Sequence, residues 1–129
     1  IPYKKDLFRL YGKNGYPLLD VMMSSEESEP LPGATLRCMH PFDDKKRVNV
    51  TPTKVERLLN LIWDGTNGVV CEIPPLTETR DFTITQLSNM REDHVRSLNP
   101  TPYKVSVSPE LYTKMHRLWE RSAPPVELS

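Results

Sequence analysis

The chain has 129 residues, a length that predicts a single domain. Its 17 basic and 17 acidic residues cancel, which disfavours nucleic-acid binding, because phosphate contacts usually require a basic excess. No apolar run reaches the roughly 18 residues of a membrane span. We therefore expect a cytoplasmic protein with no nucleic acid and no membrane as partner.

The cysteine count predicts the redox state of the thiols, and the first residue bears on whether this chain is part of a longer one. Two cysteines, Cys38 and Cys71, are too few for a disulfide framework and predict two reduced thiols, with a single disulfide as the alternative. The first residue is Ile1 rather than methionine. This favours a piece of a longer chain over a processed precursor.

Residues 6–23 predict a β-hairpin. Asn14-Gly15 supplies the positive-φ residues of a tight turn. The returning strand alternates so that its apolar residues share one face; these are Leu19, Val21 and Met23. Pro17 cannot donate to a sheet, so we expect an edge strand, at least near its start.

Residues 24–33 predict an acidic, mobile loop. A metal site is the alternative, with Glu26, Glu27 and Glu29 as candidate ligands, but no convergent histidine or aspartate supports it. Residues 34–40 and 47–50 predict two further strands joined by a charged turn. The turn favours a solvated surface, and a phosphate-binding patch there is the alternative.

Residues 53–64 predict a helix. Thr53 and Glu56 have the spacing of a capping box. An apolar stripe follows with helical periodicity, formed by Val55, Leu58, Leu59, Ile62 and Trp63. The stripe predicts that Trp63 lies in the core rather than acting as a stacking platform.

Residues 68–76 predict a short extended segment, and residues 77–98 predict a helix in two pieces with a bend near 89–91. Five charged or titratable residues crowd the second piece: Arg91, Glu92, Asp93, His94 and Arg96. A solvated helical face is the favoured interpretation, and an acid–base cluster is the alternative.

Residues 103–108 predict a half-buried strand with Tyr103, Val105 and Val107 on one face. Ser108-Pro109-Glu110 then has the pattern of a helix start, which predicts a helix over 109–121 capped by Ser108. Its buried stripe comprises Leu111, Met115, Leu118 and Trp119. Residues 122–129 predict a frayed tail.

Together these elements predict one α+β domain over residues 1–129. We expect a small antiparallel or mixed sheet of four to six short strands, with about three helices packed on one face. No pattern indicates a catalytic, cofactor-binding or metal-binding residue: His40, His94 and His116 lack ligand spacing, and no glycine-rich phosphate loop or serine elbow occurs.

Taken in order, the segments resemble the carboxyl-terminal region of nicotinate phosphoribosyltransferases, the long animal-type enzymes especially. The matching stretches are "KKDLFRLYGKNGYPLLDVM", "VNVTPTKVERLLNLIWDG" and "CEIPPLTETRDFTITQLSNMREDHVRSLNPTPYKVSVSPELYTKMHRL". The run "LNPTPYKVSVSPELY" is the most specific part. The resemblance covers nearly the whole chain.

The resemblance implies a parent enzyme that joins nicotinate to phosphoribosyl pyrophosphate with the help of ATP hydrolysis. It implies a homodimer that uses ATP and magnesium, with the reacting groups on an upstream α/β barrel. None of the family's catalytic motifs falls on these residues, so we expect no activity or bound cofactor in this piece. Surfaces around Tyr11, Trp63 and Trp119 are candidates for contact with the barrel.

Three other functional classes remain as alternatives at this stage. A free-standing, non-catalytic interaction domain is the first of them. The second is a nucleic-acid-binding domain, which the neutral charge disfavours. The third is a small autonomous hydrolase, which lacks any recognisable pair of nucleophile and base.

Overall fold

A computed structural model describes residues 4–122, without the side chain of the last. The elements in chain order are β1 (Lys5–Tyr11), β2 (Pro17–Ser24), β3 (Leu36–His40), β4 (Asp43–Val50), β5 (Lys54–Arg57), β6 (Trp63–Asp64), β7 (Gly68–Val69), α1 (Leu76–Ser88), α2 (Glu92–Val95), β8 (Lys104–Val107) and α3 (Pro109–Ser122). The predicted α+β class is confirmed. The predicted tail over 122–129 lies, apart from its first residue, outside the described residues.

Six strands form one mixed sheet in the order β4-β3-β8-β2-β1-β5. Neighbours are antiparallel except for β2 and β8, which run parallel. The sheet must curl, because its two edge strands are consecutive in the chain. Five strand spacings would separate the edges of a flat sheet by about 24 Å, whereas the four peptide steps from Val50 to Lys54 reach at most about 14 Å.

The curl encloses the larger of two apolar clusters on its inner face. Alternation along β1 and β2 sends every second side chain there. The buried members are Phe8, Leu10, Leu19, Val21, Met23, Cys38 and Val50. Val50 of one edge strand and Val55 of the other both pack into this cluster, as the curl requires.

The outer face of the sheet is covered by α3. Leu111 and Met115, one helical turn apart, are buried against Met39 and Val107 of β3 and β8. The helix is strongly amphipathic, as the sequence predicts. By contrast, α1 has no buried residue, so α3 is the helix that completes this core.

The helix predicted over residues 53–64 is wrong. Lys54–Arg57 is strand β5, paired antiparallel with β1 from Phe8 to Tyr11. The hydroxyl of Thr53 donates to the carbonyl of Gly12 at 2.9 Å instead of capping a helix. The open edge of β1 offers backbone partners to this segment, and such tertiary pairing overrides local helical periodicity.

Trp63 is therefore not a core residue. It lies in the two-stranded sheet of β6 and β7, with 63% of its surface exposed. Its ring lies 4.0 Å from the position that a side chain on Gly68 would take, and Gly68 has a positive φ of 71°. The residues that predicted a buried stripe lie instead in β5, in the connection after it and in β6.

The expectation of an edge strand at Pro17 is also wrong for most of β2, which lies between β1 and β8. Pro17 opposes Tyr11 at an irregular register step, and pairing with β8 begins only at Leu19. The missing N–H therefore interrupts no β2–β8 pairing. The proline marks the start of the strand and carries no information about its place in the sheet.

Two strand predictions need smaller corrections. The charged turn before residue 47 is shorter than expected, because β4 already begins at Asp43 and leaves only Pro41 and Phe42 as the connection. In β8, Val105 is 55% exposed while Ser106 is buried. Since both faces of the sheet bury side chains near β8, simple alternation does not identify its buried residues.

Other expectations are confirmed. The hairpin of β1 and β2 turns at Gly15, whose φ is 79°. The helix predicted over 77–98 is interrupted between Ser88 and Glu92, which confirms the predicted bend near 89–91. Cys38 is buried and Cys71 exposed, and both are free thiols. Within residues 4–122, no helix is both long and apolar enough to cross a membrane.

Candidate functional site

A buried carboxylate joins three strands on the outer face of the sheet. Asp20 is 7% exposed. It accepts two hydrogen bonds from Arg9, at 2.9 and 3.1 Å, and one from the Tyr103 hydroxyl at 2.8 Å. The hydrogen bond to Asp20 raises the pKa of Arg9, and burial, followed by the bond to Asp20, raises the pKa of Tyr103. The network is fully paired, which suits a structural tie between strands better than proton transfer.

Ser108 is the helix cap that the sequence predicts. Its Oγ accepts from the N–H of Leu111 at 3.2 Å and donates to Oε2 of Glu27 at 2.7 Å. The residue is fully buried, so a substrate could not reach its hydroxyl. The geometry makes Ser108 a joint between α3 and the acidic loop rather than a nucleophile.

The acidic loop over residues 24–33 makes contacts with three other parts of the domain. Besides bonding Ser108, Glu27 accepts from the N–H of Ser24 at 2.7 Å. Glu26 pairs with Lys114 of α3 at 3.2 Å, and Glu29 pairs with Arg57 of β5. These carboxylates point to different partners, which disfavours a shared metal ion. The mobility of the loop stays a prediction.

Each of the three histidines contacts a backbone group, and His40 and His116 both contact the turn at 41–42. His40 accepts from the N–H of Phe42 at 3.1 Å. A ring nitrogen of His94 lies 2.7 Å from the Thr101 carbonyl, and one of His116 lies 2.9 Å from the Pro41 carbonyl. Among the described residues, no group of three or more His, Cys, Asp and Glu could hold a metal ion.

The charged run 91–96 fixes a turn. Arg91 and Asp93 form a bidentate pair with both distances 3.0 Å. The carbonyl of Asp93 accepts from the N–H of Thr101 at 2.7 Å, and Arg96 donates to the carbonyl of Asn99 at 3.0 Å. Asn99 has a positive φ of 47°. These bonds hold the loop between α2 and β8, so the charged groups of this run fix its conformation; the absence of a catalytic role for them stays a prediction.

An aromatic cluster covers the C-terminal half of α3. The rings of Phe42 and Trp119 stack with centroids 5.8 Å apart, and His116 meets the edge of Trp119 at 4.9 Å. Trp119 is nevertheless 38% exposed, so its predicted place in the buried stripe is only partly correct. The cluster fastens α3 to the turn between β3 and β4.

The largest unexplained feature is an uncovered apolar segment, residues 59–98, which comprises β6, β7, α1, α2 and their connections. It contains no buried residue. Its large exposed apolar side chains are Leu59, Leu61, Ile62, Trp63, Val69, Val70, Ile73, Leu76, Phe82, Ile84, Leu87, Val95 and Leu98. Exposed apolar side chains in this number indicate a contact with another protein surface.

Helix α1 shows that contact is needed on more than one side. At about 100° per residue, Leu76, Ile84 and Leu87 share one face and Phe82 lies on the opposite side. Their exposures are 83%, 53%, 52% and 64% in that order. A helix of 13 residues is marginal in water without packing, and apolar residues around its circumference indicate burial between surfaces.

Of the three aromatic residues expected to mark an interface, Trp63 lies within the uncovered apolar segment. The side chain of Tyr11 is used inside the domain: its hydroxyl donates to Glu56 at 2.9 Å, and burial raises its pKa. The sequence patterns did not predict the exposure of α1. The sequence does contain an indication of it, because Phe82 and Ile84 cannot share one helical face and so cannot both be buried against one surface.

Comparisons with known proteins agree with the resemblance seen in the sequence. Residues 4–115 match the family described as nicotinate phosphoribosyltransferase C-terminal domain. Nicotinate phosphoribosyltransferase 2 of Arabidopsis thaliana is 54% identical over 99% of this chain and 23% of its own length. The Caenorhabditis elegans nicotinate phosphoribosyltransferase is 45% identical over 96% of this chain and 22% of its own length.

The fold also matches a solved structure. The crystal structure of human nicotinic acid phosphoribosyltransferase superposes with a TM-score of 0.77 and 30% identity, covering 92% of this chain and 23% of the human chain. The chain thus spans less than a quarter of the relatives that it matches.

Proposed function

Because this chain belongs to the family of nicotinate phosphoribosyltransferase C-terminal domains, we propose that it serves a longer nicotinate phosphoribosyltransferase as a packing domain. The parent enzyme would join nicotinate to phosphoribosyl pyrophosphate and so supply NAD biosynthesis. The reacting groups would lie in the upstream part of that enzyme. These 129 residues would contribute structure and no catalytic side chain.

The observation that carries the proposal is the uncovered apolar segment. Over 59–98 the chain forms defined strands and helices and buries none of them. Apolar surface on opposite sides of α1 requires a partner that surrounds the helix. The upstream portion of the parent supplies such a partner at high effective concentration, because it would be covalently joined.

The polar groups support a structural role. The buried Asp20 and the buried Ser108 have their hydrogen bonds satisfied within the domain. No buried side-chain nitrogen or oxygen among the described residues lacks a partner. Catalytic sites commonly keep a polar group available for substrate, and these groups are committed to holding strands and loops together.

The remaining features of the proposal rest on the resemblance. The parent would be a cytoplasmic homodimer that uses ATP and magnesium. The described residues offer no carboxylate cluster for magnesium, so we assign no step of the reaction to that ion here.

The test compares the 129-residue chain with a full-length protein that carries it. Each is supplied with nicotinate, phosphoribosyl pyrophosphate, ATP and magnesium, and nicotinate mononucleotide is measured by chromatography. We expect product from the full-length protein and none from the isolated chain. Turnover by the isolated chain would overturn the non-catalytic assignment, and a full-length protein that is inactive would overturn the parent activity.

A matched pair of substitutions tests the packing role separately. Leu76→Asp changes an 83% exposed leucine inside the uncovered apolar segment. Leu31→Asp is the control, because it changes a 63% exposed leucine outside that segment. In the isolated chain both should alter the free energy of unfolding by less than about 0.5 kcal/mol. In the full-length protein only Leu76→Asp should be destabilising. Equal effects of the two substitutions there would contradict the packing role.

A further inference from the structure

A groove opens between β8 and the β3–β4 hairpin, where residues of the inner cluster (Leu19, Cys38 and Val50) and Met39 of the outer cluster line it. It consists of two adjoining cavities of about 590 and 430 Å³. They share Leu19, Val48, Pro102 and Lys104 as lining residues, so they form one continuous space, here called the inner groove. Each volume falls in the range of small-molecule sites.

The charge of the inner groove is one-sided. Its ionisable lining residues other than Tyr103 and the thiol of Cys38 are all basic or histidine: His40, Lys45, Lys46, Arg47, Arg91, His94 and Lys104. Neither lining includes an aspartate or glutamate among the described residues. A chain with equal numbers of acidic and basic residues has thus concentrated cations around one concave space, which attracts an anion.

Part of this basic surface already has partners within the domain and part does not. Arg91 is paired with Asp93, and Arg47 donates to the carbonyl of Asp44. Within residues 4–122, the side chains of Lys45, Lys46 and Lys104 have no hydrogen bond or ion pair. Their ammonium groups are therefore able to bind a ligand.

Strand register places Lys104 beside an apolar floor. Lys104 opposes Leu19 and so shares the face that Leu19 presents to the core, while Val48 opposes Cys38. Lys46 lies at the irregular step of the β3–β4 pairing and lines the same cavity as Val48. Leu19 and Cys38 are buried, while Val48 is 41% exposed. The groove combines an apolar surface with two cations at its sides.

We propose that the inner groove binds a small phosphorylated molecule, with an apolar or aromatic body over Val48 and its phosphate between Lys46 and Lys104. Lysine binds phosphate as a point charge, and the groove offers no acidic residue to repel it. The alternative of a solvated turn at 41–46 accounts for the exposure of these lysines but not for the cavity beside them. This proposal stands independently of the packing role.

The test uses calorimetric titration of the 129-residue chain with three probes: AMP, adenosine and inorganic pyrophosphate. AMP carries both a phosphate and an aromatic body, whereas each of the others lacks one of them. We expect AMP to bind more tightly than pyrophosphate, and adenosine to bind at least about tenfold more weakly than AMP, since a charge-assisted hydrogen bond is worth that much. Raising the salt concentration should weaken AMP binding.

Single substitutions assign the site. Lys46→Gln and Lys104→Gln should each weaken AMP binding about tenfold, with unchanged circular dichroism. Lys4→Gln is the matched control, because Lys4 precedes the end of β1 that pairs with Ser24, far from Leu19 along the strand. The proposal is overturned if AMP does not bind, if adenosine binds equally well, or if Lys4→Gln weakens binding as much as the groove substitutions. Protection of Lys46 and Lys104 from acetylation in the full-length protein, together with absent AMP binding, would assign the groove to an acidic segment of that protein instead.

Discussion

Replacing Ser108 with alanine tests the joint between α3 and the acidic loop. The substitution removes one oxygen that accepts from the Leu111 N–H and donates to Glu27. Loss of a helix cap costs about 1 kcal/mol, and a hydrogen bond to a charged group contributes about 1.5–3 kcal/mol. Because Glu27 keeps its bond from the Ser24 N–H, we expect a total loss of about 2–3 kcal/mol.

Urea unfolding of the isolated chain measures this loss. With a denaturant slope of about 1–3 kcal/mol per molar, the midpoint should fall by about 1 M or more. Thr113→Ala is the control, since it removes an exposed hydroxyl from the same helix and should cost less than about 0.5 kcal/mol. Ser108→Asp keeps a cap acceptor but places a carboxylate against Glu27, so it should be no more stable than Ser108→Ala.

Two results would refute this reasoning. A loss for Ser108→Ala as small as that of Thr113→Ala would show that the bond to Glu27 contributes nothing. A folded, full-length Ser108→Ala enzyme without turnover would show that the hydroxyl takes part in the reaction after all.

Three further predictions concern the core, the thiols and the buried tyrosine. Leu10→Ala should destabilise the domain by about 2–5 kcal/mol, because Leu10 is fully buried in the inner cluster; a cost below 1 kcal/mol in urea unfolding would contradict that packing. A thiol reagent should modify Cys71 at once and Cys38 only on unfolding, since burial both shields the Cys38 thiol and raises its pKa; simultaneous loss of both thiols in a native sample would contradict this. Because the folded-state pKa of Tyr103 is raised above its usual value near 10, its contribution to stability is complete below about pH 10 and is lost as the pH rises further. The free energy of unfolding should therefore fall more between pH 9 and 11 in the wild type than in Tyr103→Phe, and parallel curves would show that burial beside Asp20 has no such effect.

Local patterns identified the elements whose structure depends on near neighbours. The Asn14-Gly15 turn, the alternating strands of the first hairpin and the Ser108-Pro109-Glu110 helix start are all found where they were predicted. Each is decided by backbone conformations and hydrogen bonds within a few residues.

Long-range pairing decided what local patterns missed. Val55 has helical spacing to Leu58 and Leu59, yet β5 forms because the free edge of β1 pairs with it. Strand β2 begins at Pro17 and pairs with β1 on one side. Its partner on the other side is β8, which lies more than 80 residues later in the chain. The inner groove likewise depends on β8 meeting the β3–β4 hairpin, so its lysines could be identified as charged but not as lining one space.

Hydrogen exchange in α1 tests the central claim most directly. Amide exchange of Leu76–Ser88 should be measured by mass spectrometry in the isolated 129-residue chain and in a full-length protein that carries it, with β2 as the internal reference. If the segment 59–98 packs against the rest of a nicotinate phosphoribosyltransferase, α1 should exchange rapidly in the isolated chain and at least about a hundredfold more slowly in the full-length protein. Equal exchange of α1 in the two proteins, with β2 protected in both, would contradict the account.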